Sequence, residues 1–169
     1  MFKQISFLFL FGFVLVSCGG GGGGGSSAYS APAASECTSS STNICITVTS
    51  TDGGNKYAVN GSTQATITLT AGSTYTLDQV SSNNSGHQIR ISTTANGTHN
   101  SGTAFTGASI AVNGTAGSSG SGLTISPTAS TTTPLYYYCE NHSGMGGTII
   151  ISGGAGSGYQ VPAKIDAYD

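Results

Sequence analysis

Short β-type runs, separated by turn residues, recur along most of this chain and constrain its fold more than any other feature. Several runs alternate apolar and polar residues, as in Ala65–Thr70, and this period is typical of a strand with one buried face. Asn-Gly or Asp-Gly pairs at residues 52–53, 60–61, 96–97 and 113–114 favour tight turns between the runs. We predict nine strands, near residues 44–50, 56–59, 65–70, 74–80, 87–93, 109–112, 122–126, 135–139 and 148–152. Short strands at regular spacing, without a long helix, predict an all-β sandwich or barrel.

The N-terminal segment predicts export. Ile5–Val16 is nearly all apolar and follows Lys3, but it is shorter than the about 20 residues of a membrane helix. Leu15–Cys18 resembles the bacterial lipobox, so residues 1–17 are predicted to be a lipoprotein signal peptide and Cys18 to be lipidated. The alternative is an ordinary signal peptide with a chance cysteine. We expect an exported protein, anchored to a membrane through its lipid and facing the periplasm or the cell surface.

Composition separates a folded domain from its two ends. Residues 18–35 include seven consecutive glycines and predict a flexible tether. Residues 36–153 are predicted to form one β domain, and residues 154–169 form a tail with no clear period. The chain has four basic and six acidic residues and no basic patch, which argues against nucleic acid as a partner. No Ser-His-Asp arrangement or phosphate-binding loop is present, so we do not expect an enzyme.

The cysteines divide by position. Cys37 and Cys45 lie eight residues apart at the start of the domain, and a disulfide is their simplest interpretation in an exported protein. The alternative, a second metal site, lacks nearby histidine partners. Cys139 is left without a cysteine partner, and metal ligation is one reason for an exported protein to keep such a residue.

A candidate metal site follows from the surroundings of Cys139. His142 and Met145 follow it at intervals of three residues, in a glycine-rich loop that can turn around one ion. Thiolate, imidazole and thioether are the donors that suit copper in both oxidation states. Core packing is a weaker explanation for a methionine in such a loop. A further ligand must come from elsewhere: His87 opens a predicted strand, whereas His99 lies in a polar loop and is expected to be solvated.

The segment Tyr-Tyr-Cys-x2-His-x2-Met, followed by glycine and a Thr-Ile-Ile-Ile strand, resembles the ligand loop of the cupredoxins, the blue-copper proteins, with the short spacing of amicyanin. The resemblance covers about residues 43–152 and implies a Greek-key β-sandwich of about eight strands. It also implies strong copper ligation by His87, Cys139 and His142, and weak axial ligation by Met145.

Two residues depart from the cupredoxin pattern. Asn141 stands where the family often has proline before the second histidine, and Gln88 stands where it often has asparagine after the first. Neither change removes a ligand, but both affect the groups around the ligands that tune such a site. A binuclear copper loop needs two cysteines, and Cys139 is the single cysteine of this loop, so we reject that alternative.

The function that the resemblance implies is a one-electron carrier with a mononuclear type 1 copper site and an unknown redox partner. Two alternatives stay open. One is copper storage or delivery. The other is a surface or adhesion module of the same fold that holds no metal and keeps Cys139 as a plain thiol.

Overall fold

A computed structural model describes residues 36–106 and 109–154. Within these residues the chain contains ten β-strands, two single-turn 3-10 helices and no α-helix. The strands are β1 Asn43–Thr51, β2 Gly54–Val59, β3 Ser62–Thr63, β4 Ile67–Thr70, β5 Tyr75–Asp78, β6 Ile89–Ser92, β7 Ser109–Asn113, β8 Gly122–Ser126, β9 Leu135–Cys139 and β10 Gly147–Ser152. The predicted signal peptide, the tether with Cys18, and the tail beyond Gly154 lie outside the described residues.

The strands form two mixed sheets. The larger sheet has six strands in the order β3-β2-β1-β5-β8-β7, and the smaller has four in the order β4-β10-β9-β6. Strand β1 runs parallel to β5 and β10 runs parallel to β4, whereas the other pairs are antiparallel. Apolar side chains of both sheets make one buried core, among them Ile46, Leu77, Leu123, Leu135 and Ile149. The all-β sandwich predicted from the sequence is therefore confirmed.

The strand bounds follow the alternating pattern closely, with two differences. All nine predicted strands are present, and the additional β3 has only two residues, too few to show a period. His87 does not open a strand as expected, since β6 begins two residues later at Ile89. The His87 amide instead donates to the Asn84 carbonyl at 2.8 Å, closing a turn in which Gly86 has a φ of +78°. His87 therefore leads into β6 from a fixed turn.

The start of the domain is tied down by a disulfide between Cys37 and Cys45, which joins the segment before β1 to β1 itself. Cys139 carries no disulfide. None of the described residues belongs to a helix long and apolar enough to cross a membrane.

Strand β9 carries side chains to both faces of the smaller sheet. Tyr137 and Cys139 are fully buried, as the alternation predicts. Tyr138 points to the opposite face, yet only 4% of it is exposed. Residues 93–102, which we call the outer loop, cover this face: the ring of His99 meets the ring of Tyr138 edge-on at 6.1 Å between centroids. A Cβ atom on Gly97 would overlap the Tyr138 ring, so the glycine allows the close approach.

Candidate metal centre

Three of the four predicted ligands come together at one end of β9. The sulfur of Cys139 lies 3.8 Å from Nδ1 of His87 and 3.5 Å from Nδ1 of His142. The donor atoms of the three residues all lie within 4.8 Å of one another, and the two imidazole centroids are 4.5 Å apart. This His-Cys-His group could hold a metal ion.

The two sulfur–nitrogen distances fit a shared metal. In zinc sites a thiolate lies at about 2.3 Å and an imidazole nitrogen at about 2.0 Å from the ion. For bond angles between tetrahedral and trigonal, these lengths separate sulfur from nitrogen by about 3.5–3.7 Å. The observed distances of 3.5 and 3.8 Å are close to this range. Both imidazoles turn Nδ1 toward the sulfur, and Nε2 of His87 faces the side-chain amide of Asn55 at 3.5 Å.

The three residues of the site differ in their exposure to solvent. Cys139 is fully buried, His87 is half-buried and His142 is exposed. Burial, and secondly the nearby imidazole of His142, lower the pKa of His87 below its ordinary value. A lowered pKa keeps the His87 ring neutral at neutral pH, and a neutral imidazole has one nitrogen lone pair that a metal can take. The site is therefore closed by protein around the thiol and open to solvent at His142.

Met145, the predicted axial ligand, is buried with 1% of its surface exposed and belongs to the same apolar core as Cys139. The expectation that packing is a weak explanation for this residue is wrong, because its glycine-rich loop folds back onto the sandwich. The Met145 carbonyl accepts a hydrogen bond from the Tyr57 amide at 2.9 Å. Its role as a metal ligand stays a prediction.

His99 does not join the ligand group, but it is not solvated as the sequence suggested. It is half-buried, and its Nε2 lies 2.9 Å from the carbonyl oxygen of Cys139. A carbonyl oxygen only accepts, so Nε2 carries the proton and donates. The polar sequence around His99 gave no sign that the outer loop folds back over β9.

The backbone of His87 is held by two residues that sequence reasoning missed. The Tyr57 hydroxyl and the Gln79 side-chain amide donate to the His87 carbonyl, at 2.6 and 2.7 Å. The Gln79 oxygen in turn accepts from the Ile89 amide at 2.9 Å. Burial, and secondly the charge of Cys139, raise the pKa of Tyr57 well above its ordinary value, so its hydroxyl stays protonated and donates. Neither residue lies in a motif, and no local pattern marks these long-range contacts.

The two departures from the family pattern each make a bond near His87. Asn141 donates from its side chain to the Gly86 carbonyl at 3.0 Å, which ties the loop of one histidine to the turn of the other. Gln88 donates to the Gln79 side chain at 3.2 Å and accepts from the Ala116 amide at 3.2 Å. The larger side chain at position 88 therefore reaches two neighbours beside the site.

A comparison with protein-family models finds no match, and no curated protein matches the chain. The identity of a bound metal and its use therefore have to be inferred from the site itself.

Proposed function

We propose that this protein is an exported copper protein of the cupredoxin type whose mononuclear site carries one electron at a time. The observation that supports it is the convergence of two imidazole Nδ1 atoms on one buried thiol, at separations that suit a shared metal. The all-β sandwich around this group agrees with the fold that the sequence resemblance implies.

The donor set favours copper over structural zinc. Structural zinc sites are closed by four strong ligands from cysteine, histidine or carboxylate groups. In the described part of the chain, the group at Cys139 contains three such ligands and no carboxylate. Two imidazoles and a thiolate, with the thioether of Met145 three residues beyond His142, match a trigonal copper site with a weak axial donor.

The residues of the chain divide the work of such a carrier. Copper, when bound, supplies a one-electron couple between Cu(I) and Cu(II). The burial of Cys139 keeps water away from its sulfur. Tyr57 and Gln79 hold the His87 backbone in place through hydrogen bonds to its carbonyl. A fixed ligand set needs little rearrangement between oxidation states. Exposed His142 provides the point at which a partner protein can approach.

The deciding experiment is a copper titration of the purified full chain, followed by its visible spectrum. We expect one Cu(II) per chain and an intense band from thiolate-to-copper charge transfer. Cys139→Ser should abolish the band, because a hydroxyl is neither soft nor deprotonated at neutral pH. His87→Ala should weaken binding strongly, whereas His99→Ala, the matched control, should keep one copper per chain. A wild-type chain that stays colourless and metal-free in excess Cu(II) and Cu(I) would leave only the fold standing.

Copper storage or delivery is the second candidate, and the exposure of His142 favours it, because an exposed ligand can be exchanged for one of a partner. A carrier should give a reversible voltammogram at a positive potential and should release Cu(I) slowly to a chelator. A delivery protein should instead exchange Cu(I) rapidly.

The cellular place of this function is part of the proposal. Lipid on Cys18 would hold the domain at a membrane surface while the glycine-rich tether keeps it free to meet a partner. Labelling with a palmitate analogue should mark the wild type and not Cys18→Ala. Equal labelling of both chains would contradict the lipid anchor.

A further inference from the structure

The outer loop reaches the metal site as well as covering β9. Asn96 accepts from the Gly144 amide through its side-chain oxygen at 2.6 Å, and donates from its side-chain nitrogen to the Ser143 hydroxyl at 2.8 Å. Ser143 and Gly144 directly follow His142, the exposed ligand. One asparagine side chain thus makes two hydrogen bonds to the two residues that directly follow this histidine.

The backbone around Asn96 is built for this contact. Asn96 and Gly97 have φ angles of +64° and +68°, in the left-handed region that asparagine and glycine tolerate best. The Gly97 amide donates to the Thr94 carbonyl at 3.1 Å, which closes the turn. The same turn presses Gly97 against the Tyr138 ring, so the position of Asn96 is set by packing as well as by hydrogen bonds.

Other side chains hold the carbonyl side of the same residues. The side chains of Lys56 and Gln64 donate to the Gly144 carbonyl at 2.8 and 3.2 Å. The Gln64 side chain also donates to the Gly146 carbonyl. Lys56 belongs to β2 and Gln64 follows β3, so these contacts come from a part of the chain distant from the outer loop. The Gly144 amide is therefore held by the outer loop, and the Gly144 carbonyl is held by Lys56 and Gln64.

We propose that Asn96 is a positioning residue for the metal site, which holds residues 142–144 in the metal-binding conformation before the metal arrives. The proposal rests on the proposed copper function. His142 is the exposed ligand and has the least packing of its own, so its place depends on its neighbours in the chain. A loop that is already ordered loses less conformational freedom when it binds a ligand, and its affinity is correspondingly higher.

The test compares copper affinity in three full-length variants. Asn96→Gly removes both hydrogen bonds and keeps a residue that tolerates the left-handed backbone. Ser143→Ala removes one of the two bonds at an exposed position. Thr98→Ala is the matched control: Thr98 is exposed on the same outer loop, has an ordinary φ of −81°, and its hydroxyl makes no hydrogen bond among the described residues.

We expect Asn96→Gly to bind Cu(I) about tenfold more weakly than wild type in chelator competition, which is the scale of one to two lost hydrogen bonds. Its thiolate charge-transfer spectrum should change, because His142 then relaxes relative to Cys139. Ser143→Ala should weaken binding less, and should weaken it little further when combined with Asn96→Gly. Thr98→Ala should match wild type in affinity and spectrum.

Amide exchange of the metal-free chain gives a readout without copper. The Gly144 amide should exchange faster in Asn96→Gly than in wild type or Thr98→Ala, while the strand amides of β9 stay protected. If wild type binds copper, and Asn96→Gly equals it in affinity and spectrum, the positioning role is refuted and the copper function stands. If wild type binds no copper, the proposed function fails instead, and the positioning role fails with it.

Discussion

Gln79 offers the sharpest test of how the site is supported, because it is fully buried and polar. Replacing it by methionine, which has a similar length, removes three hydrogen bonds with little change in volume. The Ile89 amide, also fully buried, loses the acceptor at 2.9 Å and is left unpaired at a cost of about 1–3 kcal/mol. The His87 carbonyl keeps its bond from Tyr57, so its loss is smaller. We expect Gln79→Met to lower the free energy of unfolding by about 2–3 kcal/mol.

The matched control for this prediction is Tyr57→Phe. This change removes the other donor to the His87 carbonyl and leaves no buried amide without an acceptor. Its cost should be near 1 kcal/mol, about that of one ordinary hydrogen bond. Urea unfolding of the metal-free chains, followed by circular dichroism, measures both costs. The free energy of unfolding of each variant and of wild type is extrapolated linearly to zero urea. If Gln79→Met costs no more than Tyr57→Phe, the Ile89 amide finds another partner and the reasoning is refuted.

Three further changes test other parts of the structure. Met145→Leu should keep copper but raise the reduction potential in voltammetry, because a weak donor to Cu(II) is lost; an unchanged potential would argue against axial ligation. Replacing Cys37 and Cys45 together by alanine should lower the free energy of unfolding by about 2–3 kcal/mol, since the disulfide closes a loop with a sequence separation of 8, and urea unfolding measures it. Gly146→Ala should cost about 3 kcal/mol or more in the same assay, because its Cβ would overlap the Tyr137 carbonyl oxygen and lie 2.7 Å from the carbonyl carbon.

The sequence was sufficient to predict the strands because their information is local. A half-buried strand repeats every two residues, and each turn needs its own glycine or asparagine, so both signals lie within a few neighbouring positions. The bounds of Gly122–Ser126 and Leu135–Cys139 agree at both ends. The two-residue β3 was missed because two residues have no period.

The sequence predicted the three residues that form the His-Cys-His group, and not the residues that surround this group. Cys139 and His142 lie three residues apart, so their residue types and spacing alone suggested a shared ion. Gln79, Asn96 and His99 have no such signal, because in the sequence a glutamine, an asparagine or a histidine looks the same whether its side chain meets solvent or a distant segment of the chain. Which of these it meets is decided by loops that fold back from distant parts of the chain.

The candidate ligands and the residues that support them belong to different sheets, and this has a consequence for stability. His87 and Cys139 adjoin β6 and β9 of the smaller sheet, whereas Tyr57 lies in β2 of the larger one and Gln79 directly follows β5. Separation of the two sheets therefore breaks the hydrogen bonds that place His87 beside the thiol. A metal that binds only the complete site must then stabilise the whole sandwich and not the ligand loop alone, by about 4 kcal/mol when its free concentration is a thousand times the dissociation constant. Because one core joins both sheets, we expect a metal held by this group to leave through local opening at the exposed His142, without global unfolding.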